Sequence, residues 1–315
     1  MDQTTLIINR VLPILVLLAL GYWTRRSRFL EESAIDALRK IVVNVALPSV
    51  LFITFLNIEM QTSYLGLFAT TFAVCVALLG YGRLLRQRLN VQQSYFPFLM
   101  TGFEYGMLGV SLFGSAYGLA DFGYMAVIGL GHELFIWFVF LALLLMRRDG
   151  LQAGQLVGTF FRSPVIIAII AGVVLNLVGA RDFLYERPVT GGIIATLEFL
   201  GNLIIPLILI IVGHGIRLDV QGFKETLLVV AARLLLLIPL ALILNRVLVR
   251  GLLGLEFGFE AALFTLLILP PPFIIPLYMP GDLPDEKRYV NNVLTVYTLF
   301  TIVIFAVYFV LNPTL

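Results

Sequence analysis

Long hydrophobic runs separated by short polar joints make up most of the sequence. Ten of these runs approach the roughly 20 apolar residues that a helix needs to cross a bilayer. They lie approximately at residues 6–24, 39–58, 62–82, 94–118, 123–146, 163–180, 190–216, 225–248, 257–279 and 289–311. The joints between the runs are too short to hold a separate soluble domain. The pattern therefore predicts an all-α membrane protein with ten transmembrane helices.

Composition supports a membrane protein and excludes several other classes. Hydrophobic residues make up 60% of the chain and charged residues 13%, against about 45–50% and about 25% in soluble domains. One cysteine, Cys75, and two histidines, His132 and His214, are too few for a disulfide framework or a metal site. The net charge of +2 does not suggest a nucleic-acid partner. We expect the lipid bilayer as the main surroundings, with no cofactor and no metal.

The distribution of basic residues predicts the orientation of the spans. Lysines and arginines in short loops are retained in the cytoplasm. Loops after the odd-numbered spans carry fifteen of the 21 basic residues and the alternate loops carry four, while Arg10 and Arg233 lie within spans. With ten spans, this split places both termini outside the cytoplasm. We expect a multi-pass protein of the cell membrane, meaning the inner or plasma membrane.

Two proline motifs with the same spacing indicate an internal repeat. "NVALP" places Asn44 four residues before Pro48, and "NLIIP" places Asn202 four residues before Pro206. Proline removes a backbone hydrogen bond, so each motif predicts a helix break. Each motif falls in the second span of a set of five, and an odd number puts the two sets in opposite senses across the membrane. Such inverted repeats are typical of secondary transporters, although apolar helices also tolerate prolines that match by chance.

The fourth span of each set is rich in residues that interrupt helices. "FPFLMTGFEYGMLGVSLFGSAYG" contains Gly102, Gly106, Gly109 and Gly114, and "LPPPFIIPLYMPG" contains five prolines. Irregular backbone at membrane depth is tolerated only where it is buried in protein or lines a cavity. Two broken spans at corresponding positions therefore predict a binding site. Half-helix amino ends that point into such a site favour an anion.

Five stretches of the sequence carry a further pattern. They are "GYWTRRSRFLEESAIDALRKIVVNVALPSVLF" leading into the second span, "EYGMLGVSLF" in the fourth, "HELFIWFVFLAL" in the fifth, "AARLLLLIP" in the eighth and "PPFIIPLY" in the ninth. Together they resemble the auxin efflux carrier (PIN-like) permeases. The motifs follow the order of the family along nearly the whole chain. The long cytoplasmic loop of plant members does not occur, so the chain is more similar to the bacterial type.

The resemblance implies an inverted five-plus-five repeat, similar to the fold of NhaA sodium/proton antiporters and bile-acid symporters. Spans one, two, six and seven (1–60 and 163–217) would form a scaffold. The other spans (61–146 and 218–315) would form a transport unit in which the broken fourth and ninth helices cross. The family further implies an elevator-type mechanism and a small organic acid as substrate. A homodimer through the scaffold helices is compatible with this arrangement.

Two acids stand where the family pattern has neutral amides. Glu104 replaces an asparagine at the crossing, Glu133 replaces a glutamine in the fifth span, and Ser111 replaces the crossing proline. Charged residues inside a membrane are costly and mark functional sites. We therefore interpret the two glutamates as groups that couple transport to H⁺ or Na⁺. The alternative is a structural role in which Arg233 and His132 are their partners.

The predicted substrate site combines the two broken spans with the fifth span. It comprises Glu104, Tyr105, Gly106, Gly109, Glu133, Pro271, Pro272, Phe273, Ile274 and Pro276. Glu198 and His214 flank the second proline motif and are weaker candidates. Glu260 and Arg10 are closer to helix ends, and we expect them to snorkel toward the interface.

Enzyme classes find little support in the sequence. "GVSLFG" lacks the adjacent glycine that a rhomboid-like G-x-S-G requires, and every aspartate lies in a loop or at a terminus. No H-E-x-x-H occurs. We therefore expect a transporter rather than an enzyme. Two alternatives stay open: a channel lined by the broken helices, and a cation/proton antiporter of the same fold that has no organic substrate.

Overall fold

Helices provide the regular structure in the computed structural model, which describes residues 3–58, 61–149, 163–216, 223–280 and 283–315. No strand occurs within these five segments. The α-helices are α1 (Gln3–Arg26), α2 (Glu32–Ile41), α3 (Leu47–Asn57), α4 (Tyr64–Arg88), α5 (Phe96–Leu99), α6 (Val110–Tyr117), α7 (Phe122–Phe135), α8 (Leu141–Asp149), α9 (Pro164–Leu177), α10 (Arg181–Glu186), α11 (Pro188–Asn202), α12 (Ile204–Gly215), α13 (Phe223–Leu244), α14 (Phe257–Ile268) and α15 (Pro284–Leu311).

Several continuous helical stretches are long and apolar enough to cross a membrane. Within the described segments there are six: Glu32–Asn57, Tyr64–Arg88, Phe122–Arg147, Pro188–Gly215, Lys224–Leu252 and Pro284–Leu311. Helices α9 and α14 are also apolar but shorter. These stretches agree with the predicted all-helical membrane protein, while the ten-span inverted repeat stays a prediction.

The first proline motif lies in a continuous helical stretch that contains a loosely wound turn. Val42–Ala46 joins α2 to α3 as a π-helical turn, in which the hydrogen bonds span five residues instead of four. Pro48 has no N–H to donate to the carbonyl of Asn44, so a regular helix would lose this bond. The Asn44 side chain is exposed and donates to the carbonyl oxygen of Lys40 at 2.9 Å. The irregularity at this motif is therefore a widened turn.

The second proline motif coincides with a short interruption. Helix α11 ends at Asn202 and α12 begins at Ile204, so one residue, Leu203, separates them. Pro206 lies in the first turn of α12, where backbone N–H groups have no helical acceptor. The same motif therefore occurs in two different local structures.

Contacts between residues divide the chain into two compact units. The first comprises Met1–Gln61, Gly106–Ala126 and Gly158–Ile216. The second comprises Thr62–Tyr105, Val127–Val157 and Arg217–Leu315. Residues 106–126 thus group with the first unit. The predicted scaffold and transport unit differ in which helices move during transport. That division stays a prediction.

Within the first unit, α1 and α12 pack together through a reciprocal pair of glycines. A Cβ atom at Gly21 would overlap the carbonyl oxygen of Ile210. A Cβ atom at Gly213 would likewise overlap the carbonyl oxygen of Leu18. Small residues let membrane helices approach backbone to backbone, which favours dispersion contacts where no hydrophobic driving force is present. The two glycines therefore fix a close contact between α1 and α12.

Candidate functional site

The helix of the fourth span is interrupted near a glycine that no other residue can replace without strain. After α5 ends at Leu99, the backbone leaves the helix, and Gly102 adopts a φ of +70°. This left-handed conformation favours glycine. A Cβ atom at Gly102 would also lie 2.9 Å from both Ile136 Cδ1 and Pro272 Cγ. Gly102 therefore lets the chain turn tightly against the ninth span.

The ninth span is interrupted by consecutive prolines. Helix α14 ends at Ile268, and a short 3₁₀ turn, Ile275–Tyr278, follows the break. Pro270, Pro271 and Pro272 supply no N–H groups, so they cannot continue the hydrogen bonding of α14. All three are buried, which keeps the irregular backbone away from lipid.

Glu104 joins the two broken segments. Its backbone N–H donates to the carbonyl oxygen of Pro270 at 2.8 Å. Its carboxylate atom Oε2 accepts a hydrogen bond from the backbone N–H of Phe273. The residue is 7% exposed. The buried carboxylate of Glu104 on the fourth span thus accepts the hydrogen bond of the first backbone N–H after the three prolines of the ninth span, that of Phe273.

A fully buried arginine binds the carbonyl groups at both breaks. Arg233 on α13 donates from Nη1 to Leu99 O at 3.1 Å, and from Nη2 to Gly102 O at 2.8 Å. Nη2 also lies 3.3 Å from Leu269 O, just beyond the end of α14. The carbonyl ends of helices carry partial negative charge, so a cation stabilises them. The sequence suggested Arg233 as a partner of carboxylates, and its terminal nitrogens also have this structural role.

Aromatic rings enclose the same guanidinium. The carbon Cζ of Arg233 lies 5.2 Å from the ring centre of Phe103 and 5.3 Å from that of Tyr297. Cation–π attraction becomes stronger when water is excluded. Sequence reasoning missed both rings, because neither has a local pattern that marks it as an arginine contact.

Glu133 lies beside His132, and His132 contacts the backbone of the fourth span. The backbone N–H of Phe103 donates to His132 Nε2 at 3.0 Å, so the neutral ring carries its hydrogen on Nδ1. His132 Nδ1 lies 3.3 Å from Glu133 Oε1, although without the geometry of a hydrogen bond. Glu133 Oε2 accepts from Trp137 Nε1 at 3.0 Å. That Glu104 and Glu133 lie close to each other stays a prediction.

The hydroxyl group of Tyr105 is buried without a hydrogen-bond partner among the described residues. The residue is 2% exposed. The ring lies over Gly129, where a Cβ atom would overlap it, and 6.0 Å from the ring centre of His132. Burying an unbonded hydroxyl is costly. A polar ligand that bonded this hydroxyl would recover the loss.

The remaining predicted site residues fall into two groups. Pro271, Pro272, Phe273, Ile274 and Pro276 belong to the second unit, with Ile274 and Pro276 half-buried. Gly106 and Gly109 lie in the π-helical turn that leads into α6, and they group with the first unit. Their part in binding a substrate stays a prediction.

A comparison with protein families agrees with this architecture. A family model described as "Membrane transport protein" matches residues 6–309, nearly the whole chain. The chain belongs to the auxin efflux carrier family. No curated protein matches the chain. The resemblance seen in the sequence is thereby confirmed: this carrier is a multi-pass membrane transporter for small molecules. Membership also supports a transporter over an enzyme.

One ionisable residue of the carrier differs from expectation. Glu260 was expected to snorkel, but it is buried, and Arg250 binds it with two hydrogen bonds of 2.9 and 3.0 Å. The prediction was wrong because the π-helical segment after α13 brings Arg250 over the start of α14. The side chain of Arg10 lies outside the described residues. Glu198 contacts Tyr185 at 3.5 Å, and buried His214 lies 3.3 Å from Leu30 O.

Proposed function

We propose that the carrier is a secondary active transporter of a small organic acid, coupled to H⁺ or Na⁺ through Glu104 and Glu133. The observation that carries this proposal is the hydrogen bond from Phe273 N–H to the Glu104 carboxylate. A substrate carboxylate has the same chemistry as this acceptor. The two groups therefore compete for one backbone donor.

Competition for this donor provides a mechanism of coupling. A proton that binds Glu104 neutralises its carboxylate. The hydrogen bond from Phe273 N–H to Glu104 then becomes weaker, because charged acceptors form the stronger hydrogen bonds. The substrate carboxylate then takes the donor. When Glu104 loses the proton on the opposite side of the membrane, it returns to Phe273 and displaces the substrate. One proton thus moves with one carboxylate.

Glu133, His132 and Tyr105 complete the proposed site. A sodium ion held by the two glutamates would neutralise the same charge as a proton. The hydroxyl of Tyr105 supplies a further hydrogen bond to the substrate. The transport helices carry the occupied site across the cell membrane in an elevator-type movement, with both termini of the chain outside the cytoplasm.

Reconstituted vesicles test this proposal. Uptake of a panel of mono- and dicarboxylates is measured under an imposed pH gradient, and separately under a sodium gradient. We expect one acid class to accumulate against its gradient in the wild-type carrier. In Glu104→Gln and Glu133→Gln, ion dependence should disappear while exchange of the acid survives, because glutamine cannot bind and release a proton.

Glu256→Gln is the matched control, because Glu256 is an exposed acid at the start of α14. It should behave as the wild type. Unchanged ion dependence in both Glu104→Gln and Glu133→Gln would refute the coupling role. It would leave the two acids as buried structural groups.

Cation/proton exchange is the second candidate, and one observation favours it. Glu133 and the imidazole of His132 lie 3.3 Å apart beside the crossing, where an acid and a base can both bind protons. This function predicts that sodium, lithium or potassium dissipates a pH gradient in vesicles that contain no organic acid. Both candidate functions, organic-acid transport and cation/proton exchange, predict saturation and counterflow. A channel shows neither, since it conducts continuously.

A further inference from the structure

A cavity of about 240 Å³ lies in the second unit, near the end of α4. Its walls come from α4, from the start of the fourth span and from α8. It is lined by Leu79, Arg83, Arg86, Ser94, Pro97, Phe98, Leu143 and Arg147. None of these lining residues belongs to the substrate site described above.

Three guanidinium groups give this cavity a positive charge. Arg83, Arg86 and Arg147 line it, and none of its eight lining residues is acidic. The carboxylate of Glu286, which does not line the cavity, accepts from Ser94 N–H at 2.7 Å and from Tyr95 N–H at 3.2 Å. Its charge offsets at most one of the three cations.

Two of the three arginines, Arg86 and Arg147, are held in place by contacts that do not neutralise them. Arg86 donates to Val91 O at 3.2 Å, which fixes it to the turn after α4. The guanidinium of Arg147 lies over the ring of Tyr95, 4.9 Å from its centre. Arg83 is exposed and has no hydrogen bond or ion pair with the residues that the structure describes. Donors therefore remain for a ligand.

We propose that this cavity binds a phosphate-bearing anion. Planar guanidinium groups match the oxygens of phosphate with paired hydrogen bonds, so several arginines can bind one phosphate group. The apolar walls, Leu79, Phe98 and Leu143, fit a glycerol or acyl portion. Two sources offer this chemistry: the headgroup of an anionic phospholipid, and a soluble phosphate.

The position of the cavity is compatible with both sources. The arginines lie at the ends of the third and fifth predicted spans, where basic residues meet the phosphates of the cytoplasmic leaflet. In the predicted orientation, this end of the carrier also faces the soluble phosphates of the cytoplasm. The proposal concerns binding alone, so it stands independently of the transported substrate.

Thermal stability of the purified carrier tests the proposal. The detergent-solubilised protein is titrated in three arms: phosphatidylglycerol micelles, phosphatidylcholine micelles and inorganic phosphate. The test variant is Arg83→Gln/Arg147→Gln, which keeps Arg86 and its bonds to the turn. Arg88→Gln is the control, because Arg88 is an exposed arginine of the same helix outside the cavity.

We expect phosphatidylglycerol or phosphate to stabilise the wild-type and Arg88→Gln proteins, and phosphatidylcholine to have no such effect. The double variant should bind at least about tenfold more weakly, which corresponds to about 1.4 kcal/mol. Stabilisation by phosphatidylglycerol alone identifies a lipid headgroup, whereas stabilisation by phosphate identifies a soluble ligand. Equal binding by wild type and double variant, or no response to either anion, overturns the proposal.

A second measurement tests the proposal if the double variant does not fold. The single variant Arg83→Gln changes an exposed side chain, so the fold should survive. Native mass spectrometry then compares how much phospholipid stays bound to the purified wild-type and Arg83→Gln proteins. Loss of anionic lipid or added phosphate from the variant supports the site, and equal retention contradicts it.

Discussion

Replacing Arg233 with methionine should destabilise the carrier strongly. The change removes a buried cation that donates to Leu99 O, Gly102 O and Leu269 O, and it leaves these carbonyls without that donor. Hydrogen bonds from a charged group contribute about 1.5–3 kcal/mol each, and removing the desolvated charge offsets part of the sum. We expect a net loss of about 3–5 kcal/mol, comparable with breaking a buried ion pair.

The thermal unfolding midpoint measures this effect. A loss of that size should lower the midpoint on the order of 10 °C. Arg246→Met is the matched control, because Arg246 is an exposed arginine just beyond the same helix, and it should shift the midpoint by only a degree or two. Arg233→Lys should fall between the two, since one ammonium cannot reproduce the planar fork. An Arg233→Met midpoint equal to that of the control would refute the bonding role.

Three further predictions concern the broken span, the helix contact and the topology. Pro271→Ala should permit a more continuous ninth helix, so transport should fall far more than expression; wild-type uptake would mean a tolerated kink. Gly21→Leu should lower stability by several kcal/mol through overlap with Ile210 O, and a neutral result in thermal unfolding would contradict the close contact. Impermeant reagents on intact cells should label a cysteine at Thr314 but not one at Gln152; the reverse would overturn the orientation.

The sequence predicted the broken segments because glycine and proline have direct backbone consequences. Pro270, Pro271 and Pro272 cannot continue the hydrogen bonding of a helix wherever they stand. The positive φ of Gly102 likewise follows from the local freedom of glycine and not from distant contacts. Intramembrane acids are equally visible, since a charge in an apolar run is costly. Glu104 was therefore recognisable from the sequence as a candidate site residue, whereas its contact with Phe273 was not.

The contacts of Arg233 could not be predicted in the same way. Its acceptor Leu99 O lies 134 residues away in the chain, and a carbonyl oxygen carries no sequence signal. The prediction that Glu260 snorkels was wrong for a related reason, since its pairing with Arg250 depends on the π-helical segment that contains Arg250. Side-chain chemistry is readable locally, whereas long-range partners depend on how the helices pack.

The reciprocal glycines of α1 and α12 restrict how this pair of helices can move. Both backbones touch directly, so no flexible side chain lies between them to absorb a shift. Sliding α1 by one helical turn would replace Gly21 at the contact with Leu17 or Arg25, and either side chain would collide with the carbonyl of Ile210. The contact therefore favours one axial register of α1 against α12. A rearrangement that keeps this contact therefore displaces α1 and α12 together.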